Sequence, residues 1–208
     1  CSRGAFQESA ELIARRLAGS GSDELFPEMM RYTHPEVATT IRFPSPLMDR
    51  PMVNYTLAFG LRYEIESRYL PDRDYLLDGR IPAVEDYGTV LSKPDITLVR
   101  TLPPKETADY LRKAALFQKR HGDLLMTGRF TDTEGFAFEG PGVLAKGFTA
   151  GDALGVLLWN TTGRPAAFSL TVPNAALVSA SDPEHESADA FGNLAPQSAF
   201  WARRCRES

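Results

Sequence analysis

The side chains with most chemical capacity gather in FPEMMRYTHPEV, residues 26–37. Between Pro27 and Pro35 lie Glu28, Arg31, Tyr32 and His34, with Glu36 just beyond; Glu8, in RGAFQES, adds a carboxylate upstream. Carboxylates accept hydrogen bonds from hydroxyls, and aromatic faces cover the apolar side of a sugar ring. Two carboxylates flanking a glycosidic bond are also sufficient machinery to hydrolyse it. Glu8, Glu28, Arg31, Tyr32 and His34 are therefore the candidate carbohydrate contacts. A plainer reading stands beside this one: Glu28 caps or pairs locally, and Arg31 holds a backbone turn. Taken residue by residue, the plainer reading is favoured.

No self-contained catalytic signature accompanies these residues. The sequence has no G-x-S-x-G elbow, no phosphate-binding glycine loop, no H-E-x-x-H and no C-x-x-C. His34, His121 and His185 are too scattered for a metal site and read as structural, and EHE (184–186) reads as a solvated turn. No metal and no cofactor are expected. Cys1 and Cys205 form neither a disulfide framework nor a metal spacing and are read as free thiols. An N-terminal cysteine also occurs in processed lipoproteins, but a helical pattern begins too soon for the polar tether those carry. The absent initiator methionine points instead to a chain that begins partway through a longer protein.

The net charge of -4 is spread along 208 residues with no basic stripe, which argues against a nucleic-acid partner. No apolar run is long enough to span a membrane. With 43% hydrophobic residues the chain can bury a core. Composition leaves periplasmic, secreted and cytoplasmic locations open.

The elements that must position the polar stretch follow from periodicity. Phe6, Ala10, Ile13 and Leu17 predict a helix over 5–18, stopped by GSGSD (19–23). VATTIRF (37–43) predicts a strand. A helix is predicted over 52–70, with Pro51 near its first turn, Glu64 and Arg68 paired one turn apart, and Gly60 in its middle packed against a neighbour. Residues 71–104 are rich in Pro, Asp and Gly, with a short strand at 96–100. A third helix is predicted over 105–122, with Tyr110, Ala114, Phe117 and His121 on one face and Gly122 as its stop.

Beyond residue 122 the period changes to two. LLMTGRF, GFAFEG, VLAKGFT, ALGVLLWN, AAFSLTV and ALVSA predict successive short strands, with FWARR (200–204) as a last edge strand. Trp159, in GVLLW, is expected in the core. Helices first and strands afterwards predict two architectures with a boundary at about residue 122: residues 1–122, then an all-β domain over 123–208.

FPEMMRYTHPEV, MVNYTLAFGLRYEIESRYL and LRKAALFQKRHGDLLMTGRFTDTEGF resemble the C-terminal part of an uncharacterised bacterial family of glycoside-hydrolase-like TIM barrels. AKGFTAGDALGVLLWNTTGRPAAFSLTVP resembles the β-sandwich that trails the barrel in such proteins. The resemblance covers about residues 4–198, most specifically 26–37 and RHGDLLMTGRF. It implies an α/β plus all-β fold, the last βα units of a (β/α)8 barrel followed by an antiparallel β-sandwich. It also implies a carbohydrate substrate, the remainder of the parent barrel as partner, and catalytic carboxylates on strands outside this chain. RGAFQE and FPEMMRYTHPE would then lie on the active-site rim, since barrel chemistry sits on the loops that leave the strands. The alternative from another class is a non-catalytic carbohydrate-binding or structural β-sandwich module, with Trp159, Phe168 and Trp201 as its aromatic material.

Overall fold

The computed structural model describes residues 6–9, 13, 28–43, 49–65, 75, 77, 104–173, 179–184, 193–194 and 199–204. Three strands open the described chain: β1 (Phe6–Ser9), β2 (Thr39–Phe43) and β3 (Arg62–Ile65). They pair in sequence order, β1-β2-β3, and both pairings are parallel. Helix α1 (Met29–Thr33) precedes β2, and helix α2 (Arg50–Ala58) joins β2 to β3. Parallel neighbours require such crossovers, because a tight hairpin can only reverse direction.

The predicted helix over 5–18 is corrected at its start, where FQES is strand β1; of the remainder, only Ile13 is described, as helical and buried. The predicted helix over 52–70 is corrected more deeply. Asp49 caps α2 through a bond from the Met52 amide, with Pro51 in the first turn, and the helix ends at Ala58. Gly60 adopts φ +60, the Gly60 amide donates to the Leu57 carbonyl, and the Leu61 amide donates to the Thr56 carbonyl. That is a Schellman termination. Gly60 is a stop rather than an interior residue, and Glu64 lies in β3, with Arg68 outside the described residues. The expected tight packing does occur: a Cβ on Gly60 would lie 2.5 Å from Phe148 Cε1.

Helix α3 (Lys105–Arg120) buries Tyr110, Leu111, Ala114 and Phe117 along one face, as its spacing predicts. Gly122 does not stop the chain, which turns at His121 into a short helix, α4 (Gly122–Leu125), so the first residues of LLMTGRF are helical rather than extended. The strand predicted at 96–100 lies outside the described residues.

The later strands are β4 (Arg129–Asp132), β5 (Ala137–Glu139), β6 (Val143–Ala150), β7 (Ala153–Asn160), β8 (Ala166–Ala167), β9 (Ser169–Thr171), β10 (Ser179–Ser181), β11 (Asn193–Leu194) and β12 (Ala199–Arg204). Five form an antiparallel sheet in the order β10-β12-β7-β6-β4; β5 pairs with β9 and β8 with β11. The expected edge strand at FWARR is instead internal, between β10 and β7. The architecture is thus mixed: a parallel sheet with helices, then antiparallel sheets.

Strand β7 explains its own unbroken apolar sequence. Leu157 and Trp159 join the helices, Phe148 and Trp201 in one core, while Leu154, Val156 and Leu158 join Ala145, Val172 and Ala202 in a second on the opposite face. A strand buried on both faces has no polar side to alternate with. Each such side chain contributes roughly 1.5–3 kcal/mol on full burial. Helix α2 sits in the larger core with Met52 to Ala58 all buried, and two of the polar side chains there are bonded. Tyr110 donates to Asn54 Oδ1, and Thr56 Oγ1 donates to the Met52 carbonyl.

Candidate functional site

The polar stretch is held by its arginine. Arg31 is 3% exposed, and its Nη1 donates to the Val37 carbonyl at 2.9 Å, closing the turn between α1 and β2. Its guanidinium lies over the Phe130 ring, 5.1 Å from the centroid. Burial pulls the Arg31 pKa down to about 10, against the opposing charge of Glu36, so the group stays charged at neutral pH. The Phe130 amide donates to the Pro35 carbonyl at 3.2 Å. Arg31 therefore performs the turn-holding role of the plainer reading, and the turn it holds is docked on the antiparallel sheet.

Tyr32 is the second anchor. Lys146, buried on β6, donates from Nζ to the Tyr32 hydroxyl at 2.8 Å and ion-pairs with Asp132 at the end of β4. The Tyr32 hydroxyl in turn donates to Asp132 Oδ1 at 3.3 Å. Asp132 has φ 52 and follows an irregularity in the β4–β6 register, which sets its carboxylate beside the lysine. Tyr32 also meets Phe130 edge-on, with centroids 5.5 Å apart, and the Lys146 ammonium lies 5.2 Å from the Phe59 centroid.

Burial is the largest single influence on Lys146 and favours the neutral amine, but the bonds to Asp132 and Tyr32 outweigh it and raise the pKa above the ordinary lysine value. Burial, partly offset by Lys146, raises the Tyr32 phenol above its usual value. Lys146 and Tyr32 thus both keep their protons at neutral pH. A lysine held in its charged form is a poor nucleophile. The geometry fits a fastening between the 28–37 stretch and the sheet.

Glu28 is 7% exposed and sits at the N-terminal boundary of α1 without a side-chain cap bond; its Oε2 has no hydrogen-bond partner among the described residues. His34 is exposed at the other end of α1, where its amide donates to the Met30 carbonyl. Glu8 lies in β1, where register pairs it with Ile41 of β2, which is itself paired with Tyr63 of β3. Ile41 belongs to the core shared with α2, and the Tyr63 hydroxyl donates to the Val53 carbonyl of that helix. Arg31 and Tyr32 come together through Phe130.

The 28–37 stretch enters β2 from its N-terminal end. A barrel rim is built from loops that leave the C-terminal ends of strands. The 28–37 stretch is an αβ connection at the N-terminal end of β2.

Two further polar groups lie away from this stretch. His121 is buried against Phe117 and Trp201, with Nε2 3.2 Å from Ser181 Oγ, and burial together with Arg120 and Arg203 pulls its pKa down to about 4. It is a core histidine, as expected. Glu184 is no free turn residue: Arg50 donates to it at 2.6 Å and Lys113 lies 3.6 Å away, while Arg50 stacks over Tyr110 at 3.9 Å. Burial opposes ionisation of Glu184, and the two cations outweigh it and hold its pKa below the usual carboxylate value. His185 lies outside the described residues. Trp159 and Trp201 are both buried, so neither offers an aromatic platform to solvent. Among the described residues no three His, Cys, Asp or Glu side chains cluster as a metal site, and no helix is long and apolar enough to cross a membrane.

No family model and no curated protein matches the chain. Solved structures with partial overlap include AmyP in complex with maltose, at TM-score 0.47 and 12% identity over 97% of this chain and 52% of that one. The trehalulose synthase MutB from Pseudomonas mesoacidophila MX-45 overlaps at TM-score 0.46 and 12% identity, over 86% and 45%. Isomaltulose synthase from Klebsiella sp. LX3 overlaps at TM-score 0.45 and 16% identity, over 74% and 38%. The chain spans about half the length of these proteins or less, and overlaps this partial establish neither its fold nor its activity.

Proposed function

We propose that the chain is the C-terminal portion of a glycoside hydrolase that cleaves a carbohydrate through Asp/Glu acid–base chemistry. In this reading residues 1–122 contribute the last βα units of a (β/α)8 barrel, residues 123–208 form a β-sandwich, and the main catalytic carboxylates belong to strands outside this sequence. The observation that supports it is the order β1-β2-β3, three parallel strands in strict succession with a helix crossing from β2 to β3. Successive right-handed βα units add strands to a barrel in this manner. Among the described residues β1 and β3 each pair on one side only, so the sheet has two edges to which further strands can add. Carbohydrate is assigned to the C-terminal ends of these strands; contact by Glu28, Arg31, Tyr32 or His34 would need the other side.

The competing role, a non-catalytic binding or structural sandwich, gains nothing from the two tryptophans, which are internal. The test is to express the complete reading frame that contains this chain and assay reducing-sugar release from a polysaccharide panel. Release that disappears when an upstream strand-end carboxylate is replaced by its amide is the expected result. An upstream sequence without βα repeats, or a product inactive on every glycan while binding one through residues 123–208, overturns the reading.

A further inference from the structure

The helices and the antiparallel sheet meet through more than their shared core. Strand β10 is one edge of that sheet, and the turn that leaves it carries Glu184. The Glu184 amide donates to Asp182 Oδ1 at 2.7 Å, which fixes the course of the turn. The side chain reaches two helices. Arg50 donates from Nη2 to Glu184 Oε2 at 2.6 Å, and the Lys113 ammonium of α3 lies 3.6 Å from Oε1.

Arg50 is also fixed from a second direction. Its guanidinium lies over the Tyr110 ring, 3.9 Å from the centroid. Tyr110 is 3% exposed, and its hydroxyl donates to Asn54 Oδ1, one turn along α2 from Arg50. The arginine is therefore clamped between a buried ring and a carboxylate. Arg50 and Glu184 have side-chain exposures of 37% and 35%, and an ion pair so open adds little to stability. What the clamp does secure is one position. Arg50 is the first residue of α2, the helix the chain enters after leaving the C-terminal end of β2. The Tyr32–Lys146–Asp132 fastening holds the connection into the N-terminal end of the same strand. The antiparallel region thus grips the β2–α2 unit at both ends.

We infer that Glu184 is a positioning residue for the proposed hydrolysis: through Arg50 it fixes the start of α2, and with it the β2–α2 connection that borders the substrate in that reading. This rests on the proposed function and gives the antiparallel region a part in it without a sugar contact of its own. Neither Glu184 nor Arg50 is assigned a contact with the glycan.

The complete reading frame, assayed on a glycan that the unaltered enzyme cleaves, provides the test. Glu184→Gln and Arg50→Gln should each raise KM about fivefold and leave kcat within about twofold, the pattern of lost binding geometry rather than lost chemistry. The double variant should show no further rise, because both substitutions release the same helix start. Glu139→Gln, on β5, should leave both constants unchanged. Should Arg50→Gln fail to fold, Glu184→Gln decides alone. An unchanged KM in Glu184→Gln, whatever happens to its Tm, makes the contact purely structural and overturns the positioning role while the proposed function stands. So does a strictly additive rise in the double variant. An unaltered enzyme that cleaves no glycan overturns the proposed function, and the positioning role with it.

Discussion

The parallel and antiparallel sheets use the same backbone hydrogen bonds but bury their faces differently. Strand β7 is apolar on both sides, because each side meets its own core. Strand β2 buries Ile41 in the core it shares with α2, and two residues before it a polar side chain, Thr39. Between them stands the Tyr32–Lys146–Asp132 fastening, which ties the connection into β2 to strands β4 and β6.

The largest expected effect lies in the packed sheet. A Cβ on Gly155 would sit 2.1 Å from the ring of Trp201, a fully buried indole with no free space to retreat into. Gly155→Ala is expected to cost about 3 kcal/mol, the upper end for overpacking, read as a lower midpoint in urea unfolding. An unchanged midpoint would show that Trp201 is not seated on β7. At the junction of the two sheets, Gly60→Ala combines a left-handed backbone with the Phe148 clash and should cost about 2 kcal/mol. Here restoration by Phe148→Leu in the double variant is the diagnostic measurement, since only the steric part can be relieved.

Lys146→Met keeps the aliphatic stem but removes the ammonium, leaving Asp132 and the Tyr32 hydroxyl without their cation. The expected loss is about 1.5–2 kcal/mol, the lower part of the range for a hydrogen bond to a charged group. Tyr32→Phe should cost less, and the double variant should fall short of the sum, because the two side chains share one network. Strict additivity would break the idea of a fastening. The smallest effect at neutral pH concerns His121. Its pKa in the folded chain, about 4, is below the ordinary value of 6.5, so folding favours the neutral ring. The corresponding stability is full above 6.5 and is lost as pH falls toward 4. A flatter fall of Tm over that window in His121→Gln checks it.

Much of the antiparallel part was legible, since two-residue alternation bounded by turn residues appears directly in VLAKGFT and ALGVLLWN. The long helix over 52–70 misled because Val53, Leu57, Leu61 and Ile65 keep a four-residue spacing straight through the stop. Nothing but the left-handed glycine ends α2, and periodicity is blind to a backbone angle. Glu28, Arg31 and Tyr32 were singled out for their types, but their partners were invisible. Lys146 and Asp132 lie 114 and 100 residues from Tyr32. The one available signal was a lone lysine between Leu144 and Phe148 on the inward side of an alternating strand.

Trp201 reaches its place over Gly155 only when β12 pairs with β7, some forty residues after β7 has been synthesised. During that interval the β6–β7 hairpin can form from local contacts alone, with Leu157 and Trp159 facing water on a strand whose flank is vacant. A nascent molecule at this stage offers a greasy ribbon with open amides to any neighbour. Its safe passage depends on how quickly the indole arrives.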